Sequence, residues 1–374
     1  MKKLRIALLA LAHLAMDLTT VAFVYVLTGV REFGSMPDGA GLSDTSAFAV
    51  AACVLAYDLL AFGLQPLIGA LIDLKRRSAP LLYASLFGTG AAAVLCVLCD
   101  FPQGVHALSV AVLVFFSLCN AVFHVAAGAF VIAESEKKCA PLGVFVSLGA
   151  IGVALGRLYA PALLFWAGAA LIVFGVAFLC TRTGDAFIAP HFARTDALYT
   201  RREADLLPLL LLIFAVFVRG MGSGALPAGY MPTQWLVLLA ALATAAGKAA
   251  GGFLSDALGI KAVAAVCLPA SAFLLLFGAD VPALYLIGLA LFNTSMPVTL
   301  WLSFAALPRL RNAAFGVMAA FLMLGSVLAM LFAVPQWLAF ALVLQSGGAI
   351  VAAACLSKNR TCLREGRGKE VKHA

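Results

Sequence analysis

Long apolar stretches separated by short polar loops recur along the whole chain of 374 residues. A helix that crosses the hydrocarbon core of a bilayer needs about 20 predominantly apolar residues. By that measure the pattern predicts twelve transmembrane helices, at 6–30, 47–73, 79–99, 106–131, 141–160, 162–180, 206–226, 232–255, 261–280, 283–306, 312–333 and 336–356. The fifth and sixth spans are almost continuous, and Pro161 indicates a turn between them.

The start of the chain resembles a secretory signal, because Lys2, Lys3 and Arg5 precede an apolar stretch. However, the apolar pattern continues through His13 and Asp17. We therefore expect an uncleaved first helix.

The composition of the chain is typical of a membrane protein. Hydrophobic residues make up 64% of it and charged residues only 11%, whereas soluble domains are about 25% charged. We find no Walker loop, no HExxH or GxSxG motif and no glycine-rich dinucleotide turn after a strand pattern. The sequence therefore predicts neither an enzyme nor a cofactor, and it predicts no bound metal and no role for ATP.

The positive charges are distributed unevenly between the loops. With the N-terminus inside, 21 of the 25 Lys and Arg residues fall in inner segments, and only Arg31 falls outside. By the positive-inside rule both termini are cytoplasmic in a multi-pass protein of the cytoplasmic membrane. The basic residues are then topology anchors that contact anionic lipid, and they do not indicate nucleic acid.

The chain divides into two similar halves. The boundaries predict a six-helix bundle at 1–180, a cytoplasmic linker at 181–205, a second six-helix bundle at 206–357 and a polar, unstructured cytoplasmic tail at 358–374. Asn120 recurs as Asn293, and Gly143 recurs as Gly316 at the same offset of 173 residues. Repeated halves favour a substrate site between them, near the bilayer midplane.

At this level the chain resembles the major facilitator superfamily. The resemblance implies an all-α membrane protein in which twelve helices form two pseudo-symmetric bundles. The signature of the family after the second helix is matched by Gly69, Asp73, Lys75, Arg76 and Arg77, although Arg76 stands where the family has a second glycine. The second half carries the copy Gly252, Asp256, Gly259 and Lys261.

The resemblance implies a conformational latch at these helix ends, formed by Gly69, Asp73 and Arg77 in the first half and by Gly252 and Asp256 in the second. A carboxylate there pairs across the cytoplasmic face in one conformation and releases in the other. The alternative is that both carboxylates are solvated loop charges.

Two further motifs resemble particular branches of the family. Asn120-Ala-Val-Phe-His124 is similar to the fosmidomycin-resistance and small-drug branch. Gly143, Gly152 and Gly156 have the glycine spacing of the antiporter motif, but Arg157 stands where that motif has proline.

Ionisable side chains within the spans are the candidate site residues, because each costs about 2.5–3.5 kcal/mol at the bilayer centre on insertion scales. We expect Asp17, His13, His124 and Asp58 to carry protons. His13 and Asp17 share a helix face, as do Asn120 and His124. The alternatives are interfacial snorkelling for His13, helix–helix hydrogen bonding for His124 and a structural pair for Asp58.

The remaining charges in the spans are positive. Arg157, Arg219 and Lys248 outnumber Asp17 and Asp58, so at least one cation lacks an acidic partner. An anionic substrate would supply the missing acidic partner, and a guanidinium binds a carboxylate or phosphonate well. We therefore expect a substrate site formed by Arg219, Lys248, Arg157, Asn293 and Asn120. The alternative for Arg157 and Arg219 is snorkelling to the outer headgroups.

These observations favour a monomeric secondary active transporter that moves a small organic anion by alternating access. We expect protons to drive it, and sodium stays open. The first alternative is a proton-coupled drug efflux pump, and the second is a transport-inactive sensor or lipid-handling protein on the same fold.

Overall fold

The computed structural model describes residues 1–28, 45–75, 78–101, 106–135, 138–181, 205–224, 234–332 and 334–370. Over these ranges the chain is helical and contains no β-strand. The helices are α1 (Lys2–Thr28), α2 (Thr45–Asp58), α3 (Gln65–Lys75), α4 (Ser78–Leu98), α5 (Ala107–Glu134), α6 (Ala140–Cys180), α7 (Leu206–Gly224), α8 (Gln234–Leu258), α9 (Ile260–Phe277), α10 (Pro282–Asn293), α11 (Ser295–Ala306), α12 (Arg311–Leu331) and α13 (Gln336–Glu370).

The described residues contain ten helical segments that are long and apolar enough to cross a membrane, and Leu206–Gly222 is a shorter apolar helix. The chain is therefore a multi-pass membrane protein. One of the ten is α6, whose 41 residues would be about 61 Å long as one straight helix, twice the thickness of the hydrocarbon core.

A break divides α6 near its middle. Tyr159 has non-helical backbone angles (φ −132°, ψ 30°), and Pro161 follows it. Proline has no amide hydrogen to donate and disfavours the helical conformation in the residue before it. The break lies where the sequence predicts the turn between the fifth and sixth spans, and twelve crossings stay a prediction that this division supports.

Two other predicted spans are interrupted inside the bundle. The second consists of α2, a π-helical turn at Leu59–Gly63 and α3. The tenth consists of α10 and α11, which meet at Thr294. Interrupted helices free backbone groups, and such groups are tolerated at membrane depth only where protein or a cavity satisfies them.

The two halves repeat one packing scheme. In the first half α1 packs along α6, and in the second half α7 packs along α12. Likewise α4 packs on α6, as α9 packs on α13. Contacts between the halves also come in pairs, because α3 packs on α12 and α8 packs on α6. This correspondence supports the predicted internal repeat.

Two predicted boundaries have different outcomes. The linker at 181–205 lies almost wholly outside the described residues, which stop at Thr181 and resume at Asp205. The predicted unstructured tail is wrong as far as Glu370, because α13 continues as a helix to that residue. Lys, Arg and Glu in this stretch are good helix formers, so the helix extends past its apolar part.

Candidate functional site

Three titratable side chains from two helices meet inside the first half. His13 and Asp17 come from α1, and His124 comes from α5. The two Nε2 atoms of the histidines lie 2.9 Å apart. Asp17 Oδ2 lies 3.2 Å from His13 Nε2, and Asp17 Oδ1 lies 3.5 Å from His124 Nε2. All three residues are buried, and we call them the His–Asp cluster.

Backbone carbonyls determine the tautomer of both imidazoles. His13 Nδ1 lies 2.8 Å from the carbonyl oxygen of Phe145, and His124 Nδ1 lies 3.0 Å from that of Asn120. A carbonyl oxygen only accepts hydrogen bonds, so each Nδ1 carries the proton that it donates. In the neutral rings both Nε2 atoms are then bare acceptors.

When both rings are neutral, the centre of the His–Asp cluster therefore holds no positive charge. The two bare Nε2 atoms face each other and the Asp17 carboxylate, and Asp17 Oδ1 is buried without a hydrogen-bond partner among the described residues. Buried acceptors that face one another without a donor are costly. A proton or another cation between them removes this cost.

The surroundings of the cluster are aromatic and closely packed. The ring of His13 packs against Phe145 at a centroid distance of 4.7 Å, and the ring of His124 packs against Phe62 at 5.7 Å. Gly149 on α6 also borders the cluster. A β-carbon at Gly149 would lie 2.5 Å from Asp17 Oδ2 and 2.6 Å from His13 Nε2. Only glycine therefore leaves the cluster its space.

A hydrogen-bonded group of polar residues lies one turn from the cluster. Asn120 Nδ2 donates to Thr20 Oγ1 at 3.0 Å and also to Tyr57 Oη, and these two hydroxyl oxygens are 3.0 Å apart. Asn120 Oδ1 is buried with no partner among the described residues. The predicted site residue Asn120 is thus connected to α1 and α2 and to the His124 backbone contact.

Two predicted cations of the second half lie close to this region. Arg219 on α7 is 3% exposed. It donates from Nη1 to Ser295 Oγ at 2.8 Å and from Nη2 to Met296 Sδ at 3.0 Å. Both contacts are neutral. Lys248 on α8 interacts electrostatically with both Asp17 and Arg219, so it lies near the cluster and near the guanidinium.

The other predicted site residues in the spans have different surroundings. Arg157 is exposed near the break in α6, as its snorkelling alternative expects. Asn293 donates to the carbonyl oxygen of Leu289 in its own helix at 2.9 Å. Asp58 is half-buried at the end of α2 and accepts no hydrogen bond from the described residues.

Asp73 connects the end of α3 to the start of α12. Its Oδ1 accepts from Asn312 Nδ2 at 2.7 Å and from the Asn312 amide at 3.3 Å, and its Oδ2 accepts from the Ala313 amide at 2.9 Å. The first amides of a helix lack partners within the helix. A carboxylate from one half therefore caps a helix of the other half.

Asp256 makes the equivalent connection in the reverse direction. It lies in the last turn of α8 and accepts from the amides of Cys139 and Ala140, at 2.7 and 3.0 Å, where α6 begins. We call the two connections the crossed caps. They lie at the helix ends where the sequence predicts the cytoplasm.

Glycines bring the backbones together at both crossed caps. A β-carbon at Gly69 would overlap the backbone of Asn312, and one at Gly252 would lie 2.8 Å from the α-carbon of Ala140. Gly143 has the same role, because a β-carbon there would lie 2.7 Å from the Lys248 carbonyl oxygen. The predicted latch residue Arg77 lies outside the described residues.

Sequence reasoning did not find several residues of the site. Gly149 carried a signal, since it lies one turn before Gly152 on the face of α6 that packs on α1. Tyr57 and Ser295 carried none beyond being polar in an apolar span. The carbonyl of Phe145 has no signal in a sequence, because every residue carries a backbone carbonyl. Only the fold determines which of these carbonyls meets His13.

Comparison with known proteins finds a fold and no sequence relative. No protein-family description matches the chain, and no curated protein matches it. Among solved structures it is similar to the major facilitator superfamily transporter FucP in the outward conformation, with 12% identity and a TM-score of 0.61, over 93% of this chain and 98% of that one.

Two further structures have the same extent of similarity. A single-residue variant of the Escherichia coli fucose:proton symporter FucP is 13% identical, with a TM-score of 0.64, over 95% of this chain and 98% of that one. The human organic anion transporter MFSD10 is 16% identical, with a TM-score of 0.56, over 94% of this chain and 99% of that one. The resemblance to a particular drug-resistance branch stays a prediction. The chain therefore has the fold of the major facilitator superfamily transporters.

Proposed function

We propose that this protein is a secondary active transporter that moves a small organic anion across the cytoplasmic membrane by alternating access, coupled to protons. In this proposal both termini are cytoplasmic and the monomer is the working unit. Two of the matched structures support the class of activity, since one is named a proton symporter and the other an organic anion transporter.

The observation that carries the proposal is the pair of cations Arg219 and Lys248. Arg219 is buried, and its described contacts are to a hydroxyl and a thioether, neither of which carries charge. An ionised group in this position is costly unless an opposite charge offsets it. A carboxylate or phosphonate between the guanidinium and the Lys248 ammonium would do so, and the fork of the guanidinium binds such groups in a bidentate manner.

The His–Asp cluster supplies the coupling site. Its three acceptor atoms need a cation, and a proton between His13 Nε2 and His124 Nε2 converts the opposed lone pairs into a hydrogen bond. The added charge also offsets that of Asp17, which interacts with Lys248. Proton uptake therefore weakens the hold of Asp17 on Lys248 and leaves the ammonium for the anion. This sequence of events predicts that the proton and the anion move in the same direction.

The crossed caps supply the conformational switch. Each joins a helix end of one half to a helix start of the other, through Asp73 and Asp256. Charge-assisted bonds of this kind contribute about 1.5–3 kcal/mol each. Their release would let the halves rock apart at this end while the other end closes. The latch predicted for Gly69, Gly252 and Arg77 belongs to the same proposal.

The test is transport by purified protein in proteoliposomes. External succinate, citrate, methylphosphonate and 3-phosphoglycerate are offered in turn, because these ions cross lipid poorly, and an internal pH dye reports proton entry. We expect proton entry with at least one of the anions. We expect Arg219→Gln and Lys248→Gln to abolish it, and the matched control Lys261→Gln, in an exposed position, to retain it. Full activity in both Arg219→Gln and Lys248→Gln would refute the anion site.

A drug efflux pump is the second candidate, and the aromatic rings around the cluster favour it. Phe62, Phe145 and Phe315 all pack against the cluster histidines or one another, which suits an amphipathic substrate. In that case Asp17→Asn lowers drug resistance in an overexpressing strain, whereas Arg219→Gln leaves it unchanged. Proton flux with any substrate would exclude the transport-inactive alternative.

A further inference from the structure

The three acceptor atoms of the His–Asp cluster have the arrangement of metal ligands. In a tetrahedral zinc site, with bonds of about 2.0–2.2 Å, neighbouring ligand atoms are about 3.3–3.5 Å apart. The corresponding separations here are 2.9 Å between the two Nε2 atoms, 3.2 Å from His13 Nε2 to Asp17 Oδ2 and 3.5 Å from His124 Nε2 to the second carboxylate oxygen, Asp17 Oδ1. With one ligand atom taken from each residue, all three atoms lie within 4.8 Å of one another. The two nitrogens need to separate by only about 0.4 Å to reach the zinc value.

The outer contacts of both histidines also match those of ligands. A histidine that binds a metal through one nitrogen usually donates its other N–H to a carbonyl or carboxylate, and this bond fixes the ring. His13 and His124 both do so, to the carbonyl oxygens of Phe145 and Asn120. Each Nε2 is therefore presented as a lone pair, which is the form that coordinates a metal.

Among the described residues, no donor is hydrogen-bonded to the Asp17 oxygen that faces His124. This oxygen, Oδ1, is buried. On the side of α6, Gly149 presents no side chain where a β-carbon would come within 2.6 Å of His13 Nε2. Lys248 on α8 is the cation that interacts with both Asp17 and His124. Its charge opposes a metal ion electrostatically.

We propose that His13, Asp17 and His124 form a binding site for one divalent transition-metal ion of the Zn²⁺ class. The ligands are the two Nε2 atoms and a carboxylate oxygen, and the fourth position stays open. The metal takes the place between the acceptors that the proton takes in the proposed transport cycle. Metal binding at this site does not require transport, so it can be tested independently of the proposed function.

The experiment titrates the full chain, purified in detergent and freed of metal with a chelator, with Co²⁺ as a spectroscopic probe. We expect one Co²⁺ per chain, with the visible spectrum of nitrogen and oxygen ligands and displacement by one equivalent of Zn²⁺. The double variant His13→Ala/His124→Ala should bind at least about 100-fold more weakly, since the loss of outer contacts alone costs 10–100-fold. His106→Ala, which alters a histidine at the start of α5 and outside the cluster, should bind as the wild type does.

Two variants keep the test decisive if the double variant does not fold. Asp17→Cys replaces one ligand by a thiolate, and we expect it to retain Co²⁺ and to add a thiolate-to-metal charge-transfer band in the near ultraviolet. Lys248→Gln removes the opposing charge and should tighten binding several-fold. The proposal is overturned if the wild type binds no stoichiometric Co²⁺, if the double variant binds equally well, or if Asp17→Cys gains no band. Proton-coupled transport without metal binding would overturn this inference and leave the proposed function intact.

Discussion

Gly149 offers the sharpest test of the His–Asp cluster, because Gly149→Ala alters the cluster without removing any of its groups. The added methyl carbon would lie 2.5 Å from Asp17 Oδ2 and 2.6 Å from His13 Nε2. Carbon packs favourably against other heavy atoms at about 3.5 Å. The two groups must therefore retreat by about 1 Å.

The neighbours of His13 restrict how far it can move away from the added methyl carbon. The His13 ring is held by the Phe145 carbonyl at 2.8 Å and packs against the Phe145 and Phe123 rings. A shift of about 1 Å breaks the hydrogen bond, because contacts of about 3.6 Å no longer qualify as one. Overpacking of this kind costs about 1–3 kcal/mol, and alanine recovers about 0.5–1 kcal/mol of helix preference. We expect a net loss of about 1–2 kcal/mol in the free energy of unfolding.

The assay measures proton-coupled uptake in proteoliposomes together with the melting temperature in detergent. Transport should fall by about tenfold or more, as it does for other reacting groups misplaced by about 1 Å. The matched control is Gly348→Ala, since a β-carbon at Gly348 in α13 meets nothing within 4 Å. That variant should transport normally and gain stability. If Gly149→Ala behaves like Gly348→Ala, the cluster does not have the geometry on which both proposals depend.

Two further predictions concern the buried cation and the crossed caps. Arg219→Met should raise the melting temperature of the substrate-free protein while abolishing transport, because it removes a buried charge whose described hydrogen bonds go to neutral groups. Lys261→Met is the control, and an unchanged or lower melting temperature for Arg219→Met would contradict the reasoning. Asp256→Asn should open the cap that covers Cys139, whose thiol pKa is raised by burial and by the nearby Asp256 carboxylate. The closed thiol is protonated and slow to react, so opening should speed its alkylation, measured by mass spectrometry, by about tenfold or more. The rates themselves should be higher at pH 8 than at pH 6, because only the thiolate reacts. Asp280→Asn, in the exposed loop before α10, is the control, and equal alkylation rates in both variants would exclude a cap that opens.

Hydropathy located the helices well. The predicted third span at 79–99 corresponds to α4 at Ser78–Leu98, and the predicted fourth span at 106–131 corresponds to α5 at Ala107–Glu134. Each span must satisfy its backbone by itself in lipid, so the apolar length of a segment nearly determines the helix. Pro161 also placed the break in α6 correctly. The π-helical turn at Leu59–Gly63 was not predicted, although Pro66 follows it and disturbs the helix in the preceding turn.

The site was predictable only within single helices. The spacing of His13 and Asp17 indicated a shared face, and that pair is in contact. Their meeting with His124, which is 111 residues from His13, depends on how α1 and α5 rotate about their axes. Periodicity in a chain that is apolar on nearly every face carries little of that information. For the same reason the sequence does not distinguish Arg157 from Arg219, although Arg157 is exposed and Arg219 is buried, with 3% of its surface accessible.

The crossed caps also determine how the two halves align along their shared boundary. Asp73 and Asp256 each reach the first amides of a helix that belongs to the opposite half. Sliding one bundle past the other by a single helical turn would move each carboxylate about 5.4 Å away from those amides. Neither half can correct this error from its own residues, because each supplies one of the two carboxylates and one of the two helix starts that they cap. The pair of contacts therefore favours the correct alignment of the two halves over shifted alignments as the chain folds in the membrane.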